Sequence, residues 1–135
     1  MLHRDDLLRV LDPDLGALVG LFDSPRHPFS SLAETDVPDT AGLYVIYRDD
    51  PAETLYVGKA SDLRFRIMKN HLAYRGDDNF VRYLMQDVAL SSKSDARTYI
   101  RKLCSVHWLE VHDSQRLAYL EHLAIAATRA RFNKG

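Results

Sequence analysis

Residues 42–59, GLYVIYRDDPAETLYVGK, decide the fold. Gly42–Tyr47 is a run of aromatic and β-branched residues, and Leu55–Val57 is a second, so both read as strands. Asp49-Asp50-Pro51 between them supplies turn chemistry, which makes an antiparallel hairpin the natural connection. Beyond Gly58 the period changes from two to that of a helix. Ser61 or Asp62 can cap a helix through Leu63, Ile67, Asn70 and Leu72. A further helix over Asp78–Asp87 presents Phe80, Val81, Leu84 and Met85, and a short one covers Asp95–Leu103. Val106, Trp108 and Val111 mark a third strand ending near His112-Asp113. Ser114 then caps a last helix whose apolar stripe is Leu117, Leu120, Leu123, Ala124 and Ala127. The expected fold class is α+β: a small three-stranded antiparallel sheet flanked by helices, preceded by a helical N-terminal extension.

Two short helices are expected in that extension. Leu7, Leu8 and Leu11 share helical spacing up to Pro13, which should end the first helix. Asp12 reads as an N-cap with Pro13 in the first position of a second helix carrying Leu15, Leu18, Val19 and Phe22. Residues 23–40, DSPRHPFSSLAETDVPDT, read as a loop or linker. The expected organisation is therefore residues 1–40 as extension and linker, and residues 41–135 as the functional domain.

The 135 residues suffice for one core, and the composition, 46% hydrophobic and 27% charged, is that of a soluble globular domain. No apolar run approaches the ~20 residues of a bilayer span. The opening MLHRDDLLRV carries two acids and no signal-peptide core. One cysteine, Cys104, excludes an internal disulfide framework and fits a reducing compartment, so the cytoplasm is the expected location. The net charge of -1 gives no global attraction for a polyanion, but the charge is unevenly spread. Residues 1–40 hold three Arg against eight acids, and residues 41–135 hold fifteen Lys and Arg against eleven acids. A local phosphate groove is expected in the second part rather than a broad basic face.

Gly42-Leu43-Tyr44, eleven intervening residues and Tyr56-Val57-Gly58 resemble the paired tripeptides of the GIY-YIG endonucleases. The resemblance extends through Lys59, Arg66 and His71 to Glu121 on the last helix and Asn133 beyond it, so it spans residues 41–133. The stretch YVGKASDLRFR is similar to the corresponding part of the incision subunit of bacterial nucleotide-excision repair. Two departures are visible: Leu43 and Val57 stand where the family has isoleucines, and Ala130 where it often has proline.

The resemblance implies metal-dependent hydrolysis of nucleic-acid phosphodiesters, with DNA the expected substrate. Tyr44, Tyr56, Arg66, His71 and Glu121 are the candidate catalytic residues, and Lys59 and Asn133 the candidate substrate-binding ones. Glu121 is a hard oxygen ligand suited to Mg²⁺ or Mn²⁺, which needs only one or two carboxylates beside water and phosphate. Arg66 can fork onto phosphate oxygens and stays charged. One of the two tyrosines helps to take the proton from water, which requires positive charge nearby because a free phenol has a pKa of about 10. Lys59 and Arg66 follow Tyr56 closely, so Tyr56 is expected to be the more acidic tyrosine. His71, five residues after Arg66, lies about one and a half α-helical turns on, where it can bond a tyrosine or a phosphate. Asn133 has the character of a supporting residue.

Each residue also has an ordinary alternative. The tyrosines are common in half-buried strands, Arg66 can be one more solvated charge like Arg64 and Lys69, and Glu121 can face solvent with Gln115 and Arg129. Cys104 and His107 point to opposite faces of one strand, so a buried thiol is the better reading than a nucleophile. Glu110, His112 and His122 complete no tetrahedral zinc site, and Trp108 suits the core. Two alternatives to an autonomous nuclease stay open: a cleavage-silent nucleic-acid-binding module of the same fold, and a nuclease subunit that works with a protein partner bound through the acidic extension.

Overall fold

A computed structural model describes residues 2–72 and 78–133. The strands are β1 (His27–Pro28), β2 (Gly42–Arg48), β3 (Glu53–Ala60) and β4 (Cys104–Glu110). They form one antiparallel sheet in the order β1-β4-β2-β3. The sheet thus has four strands where three were expected. The additional strand is a two-residue edge pairing within the expected linker, too short to carry any periodicity. Phe29 extends it, donating its N–H to the Cys104 carbonyl at 3.0 Å and burying its ring.

β2 is central and covered on both faces, which explains its unbroken apolar run. Tyr44 and Ile46 face one core cluster with Phe80, Ile100 and Phe132, whereas Leu43, Val45 and Tyr47 face a second with Leu18, Leu21, Leu117 and Leu120. The register slips once: Ile46 pairs with Tyr56 but Tyr47 with Thr54, leaving Leu55 as the extra residue of a bulge. The bulge turns both Leu55 and Tyr56 towards the first cluster.

Among the described residues four α-helices flank the sheet: α1 (Arg4–Asp23), α2 (Asn79–Asp87), α3 (Lys93–Leu103) and α4 (Ser114–Thr128). α1 is continuous, so the expected break at Pro13 does not occur. An internal proline costs ~3 kcal/mol or more, yet the apolar stripe stays in register through it and docks Leu18 and Leu21 into the second cluster. Asp14 also accepts from Arg116 of α4 at 3.1 Å. Burial is confined to the C-terminal half of α1, and Leu7, Leu8, Leu15 and Val19 are exposed. α4 is capped by Asp113, one residue before the expected Ser114, through bonds to the N–H groups of Gln115 and Arg116. Of its expected stripe Leu117, Leu120 and Ala124 are buried, Leu123 is half-buried, and Ala127 lies at the surface. Among the described residues no helix is long and apolar enough to cross a membrane.

After α4, Arg129 adopts a left-handed conformation with φ 51° and the chain turns back along the free edge of β3. Arg131 and Phe132 donate their N–H groups to the carbonyls of Thr54 and Leu55 at 3.1 and 2.9 Å. Asn133 completes the edge with its side chain: Nδ2 donates to the Val57 carbonyl and Oδ1 accepts from the Val57 N–H, both at 2.8 Å.

Candidate active site

The hairpin brings the two tripeptides together. Tyr44 pairs with Gly58, and Tyr56 lies on the same face two residues along, with ring centroids 6.2 Å apart. The Tyr44 ring lies across Gly58, where a Cβ would sit 2.4 Å from its Cζ and hydroxyl oxygen. The glycine of the second tripeptide is therefore needed to seat the tyrosine of the first. Gly42 is equally constrained, since a Cβ there would meet the Leu109 carbonyl oxygen at 2.4 Å.

The segment after β3 begins as expected, with Asp62 Oδ1 accepting from the Phe65 N–H at 3.0 Å. It then widens into a π-helix over Phe65–Leu72. A π-helix closes its hydrogen bonds from i to i+5 instead of i to i+4. Residues five apart consequently come round to nearly the same side, and Arg66 and His71 both face the tyrosines. The expected α-helical spacing would have separated them.

His71 is buried and bonded at both ring nitrogens. Its Nδ1 is 2.7 Å from Asp78 Oδ2 and its Nε2 is 2.5 Å from the Tyr44 hydroxyl. A carboxylate oxygen can only accept, so Nδ1 carries the proton, Nε2 is an acceptor, and Tyr44 O–H donates to it. Burial pushes the His71 pKa down despite the opposing pull of Asp78, which keeps the ring neutral. The other oxygen of Asp78 caps α2 by accepting from the Val81 N–H at 3.3 Å. Asp78 is the residue that sequence reasoning passed over. Its signal was an N-cap position two residues before the apolar pair Phe80-Val81.

The two tyrosines differ in access. Tyr44 has no exposed surface, and burial raises its pKa well above the ordinary phenol value even though Arg66 works against the rise. Tyr56 is half-buried; burial raises it too, opposed by Arg66 and reinforced by Asp78, Glu121 and Tyr83. Tyr56 thus lies within electrostatic reach of both Arg66 and Glu121. Arg66 lies within electrostatic reach of the Tyr44 hydroxyl, and its buried Nε has no hydrogen-bond partner among the described residues. Beside it opens a cleft of about 370 Å³ lined by Lys59, Ser61, Asp62, Phe65, Arg66 and Asn70.

Glu121 projects from α4, half-buried, on the β3 side of the molecule. Lys59 is exposed at the cleft. Asn133 lies apart from the cleft lining, with its amide bonded to the Val57 backbone next to Tyr56. Tyr44, Tyr56, Arg66 and His71 therefore meet, Glu121 approaches through Tyr56, and Lys59 borders the group. No cluster of three or more His, Cys, Asp or Glu side chains able to hold a metal occurs among the described residues. A hydrated Mg²⁺ or Mn²⁺ needs only one or two protein carboxylates beside water and phosphate.

Cys104 lies in the first core cluster with its thiol pushed up to about 12, chiefly by burial, as an inert core residue should be. His107 points to the opposite face, where Nε2 lies 2.7 Å from the Tyr47 hydroxyl and Nδ1 3.2 Å from Ser24. Trp108 is half-buried and stacks on His27 with centroids 4.6 Å apart.

The sheet, its covering helices and the tyrosine face define an α+β domain. No protein-family model and no curated protein sequence matches the chain. Among solved structures it is similar to the GIY-YIG N-terminal endonuclease domain of UvrC from Thermotoga maritima. A tyrosine-to-phenylalanine mutant of that domain, bound to its catalytic divalent cation, gives 16% identity and a TM-score of 0.46, covering 73% of this chain and 88% of that one. A second such mutant gives 15% and 0.47, and an asparagine-to-alanine mutant 15% and 0.46, with the same coverage.

Proposed function

We propose that the protein is a metal-dependent endonuclease that hydrolyses phosphodiester bonds in DNA. The observation that carries the reading is Tyr56, half-buried and under the influence of both the Arg66 guanidinium and the Glu121 carboxylate. Arg66 and Lys59 line the adjoining cleft and receive the phosphate, with Arg66 matching its charge as it builds up in the transition state. Tyr56 reaches solvent, so it is the tyrosine that orients the attacking water and accepts its proton as phenolate. Arg66 favours that form and burial opposes it. Tyr44 is closed off and acts by positioning. Glu121 is the residue to hold Mg²⁺ or Mn²⁺. When bound, the ion supplies positive charge that polarises the phosphate and stabilises the leaving oxygen. Asn133 supports the strand carrying Tyr56, and a substrate contact from it would have to form alongside its two bonds to Val57.

The test is cleavage of a panel of labelled DNA structures with Mg²⁺ or Mn²⁺, comparing the wild type with Glu121→Gln. We expect cleavage that Glu121→Gln abolishes while DNA binding and melting temperature persist. Undiminished cleavage by that variant would remove Glu121 from the mechanism. A nuclease acting only with a protein partner is the second reading, favoured by the exposed Leu7, Leu8, Leu15 and Val19 on α1. Cleavage by the purified chain alone would dismiss it. The cytoplasm is the compartment in which such an enzyme with one buried thiol would work.

A further inference from the structure

The hydrogen bonds around His71 have a direction. Asp78 Oδ2 accepts from His71 Nδ1–H at 2.7 Å, and His71 Nε2 accepts from Tyr44 O–H at 2.5 Å. With its proton committed to His71, the Tyr44 oxygen has only lone pairs to present to Arg66, which lies within electrostatic reach of it at the cleft. Each group thereby fixes the donor or acceptor role of the next. The side chains of His71 and Asp78 are 0% and 1% exposed, so water does not scramble the order. We propose that Asp78 is a positioning residue that sets the tautomer of His71 and, through Tyr44, the direction in which Arg66 presents its guanidinium to the cleft. It is not among the residues that line the cleft. The inference rests on the reading of Arg66 as the phosphate-binding cation of a nuclease.

Asp78 is suited to the role by a double commitment. Oδ1 caps α2 at Val81 while Oδ2 holds His71, so the carboxylate is locked to a helix end and to the ring at once. In Asp78→Asn the single amide oxygen can keep the cap, which asparagine supports as well as aspartate does. The NH₂ group then faces His71 Nδ1 and demands an acceptor there. The proton must move to Nε2, Tyr44 is forced to accept, and its own O–H turns against Arg66.

The test joins a spectroscopic and a kinetic measurement on the full chain. In ¹⁵N-labelled protein, Asp78→Asn should move the His71 proton from Nδ1 to Nε2 and alter the ¹⁵N shifts and solvent exchange of the Arg66 guanidinium. In cleavage assays it should lower kcat roughly 10–100-fold, the range known for residues that orient a metal-bound histidine from behind. In a Tyr44→Phe background the same substitution should cost clearly less than in the wild type, because the part relayed through Tyr44 is already lost and only the direct pull of the Asp78 charge on Arg66 and Tyr56 is left to remove. Losses that multiply in the double variant overturn the proposal, as does Asp78→Asn with an unchanged tautomer and undiminished kcat. Should Asp78→Asn not fold, His71→Gln keeps an acceptor for Tyr44 and His71→Leu does not. Gln is then expected to retain the higher kcat, and equal losses overturn the proposal. A wild type that cleaves no substrate defeats the nuclease reading alone, since the tautomer and exchange measurements still decide whether Asp78 directs Arg66.

Discussion

Replacing Gly58 with alanine tests the seating of Tyr44 most directly. The added Cβ would lie 2.4 Å from Tyr44 Cζ and hydroxyl oxygen and 2.8 Å from Cε1. Carbon atoms pack at about 3.5–4.0 Å, so the ring or the strand must retreat by roughly 1 Å. The ring has little room, being fully buried with the His71 and Tyr56 rings at centroid distances of 5.2 and 6.2 Å. Overpacking of this kind costs ~1–3 kcal/mol, and alanine returns ~0.4–1 kcal/mol by restricting the unfolded chain. The net loss should be about 1–2 kcal/mol, which for a domain of this size lowers the melting temperature by roughly 4–8 °C. Displacing the Tyr44 hydroxyl from His71 should also reduce cleavage beyond what the stability loss explains. The assay is calorimetric melting beside cleavage at a temperature where the variant is fully folded. Gly16→Ala is the control: no atom lies within 4 Å of its Cβ, and helix propensity should add ~0.8–1 kcal/mol. Gly58→Ala melting at or above the wild type with full activity would refute the reasoning.

Further expectations follow from the same geometry. Arg66→Lys should lose most cleavage because an ammonium cannot reproduce the planar fork. Arg64→Lys should not, since Arg64 is directed at the Val37 carbonyl and Asp39; equal losses would mean the wrong helix face has been chosen. Burial lowers the pKa of both His71 and His107 below 6.5, so the unfolded chain binds more protons as the pH falls. Stability should therefore decline as pH drops through about 6.5, by up to about 1.4 kcal/mol per pH unit for each histidine. Denaturation curves should show a shallower decline for His107→Gln, and an identical slope would exclude His107 as a source. Deleting residues 1–40 removes Leu18, Leu21, Phe29 and Val37 from the two core clusters and should make the remainder insoluble. A soluble fragment with the wild-type melting temperature would show that the extension is dispensable.

The hairpin and the final helix were legible because their apolar residues repeat with the period of the element that buries them. β1 was not, since two residues flanked by prolines carry no period and are held only by the strand they meet. Pro13 misled for the opposite reason: a local rule was overridden by the docking of Leu18 and Leu21 some two turns later. At the site, the hairpin that brings Tyr44 and Tyr56 together was readable, but the geometry of the groups around them was not. Reading a period of 3.6 turned His71 away from Arg66, and only the π-helical winding brings them together. Asp78 was visible as the start of α2, yet nothing in the chain shows that its second oxygen reaches His71. The non-equivalence of the tyrosines was expected from neighbouring charge. Burial dominates both, and access to solvent is what separates them.

The way β3 is finished bears on self-association. An outer strand with free N–H and C=O groups is a template on which a second molecule can lay its own strand. Along Thr54–Val57 that template is already occupied, first by the backbone of Arg131 and Phe132 and then by the Asn133 amide standing in for a peptide group. At the other margin of the sheet, β1 is two residues long and one of them is Pro28, which has no N–H to offer. Over those stretches a second strand finds little free backbone to pair with. An Asn133→Leu variant would reopen one donor and one acceptor at Val57, so the residue that steadies the tyrosine strand also closes that part of its edge to a second strand.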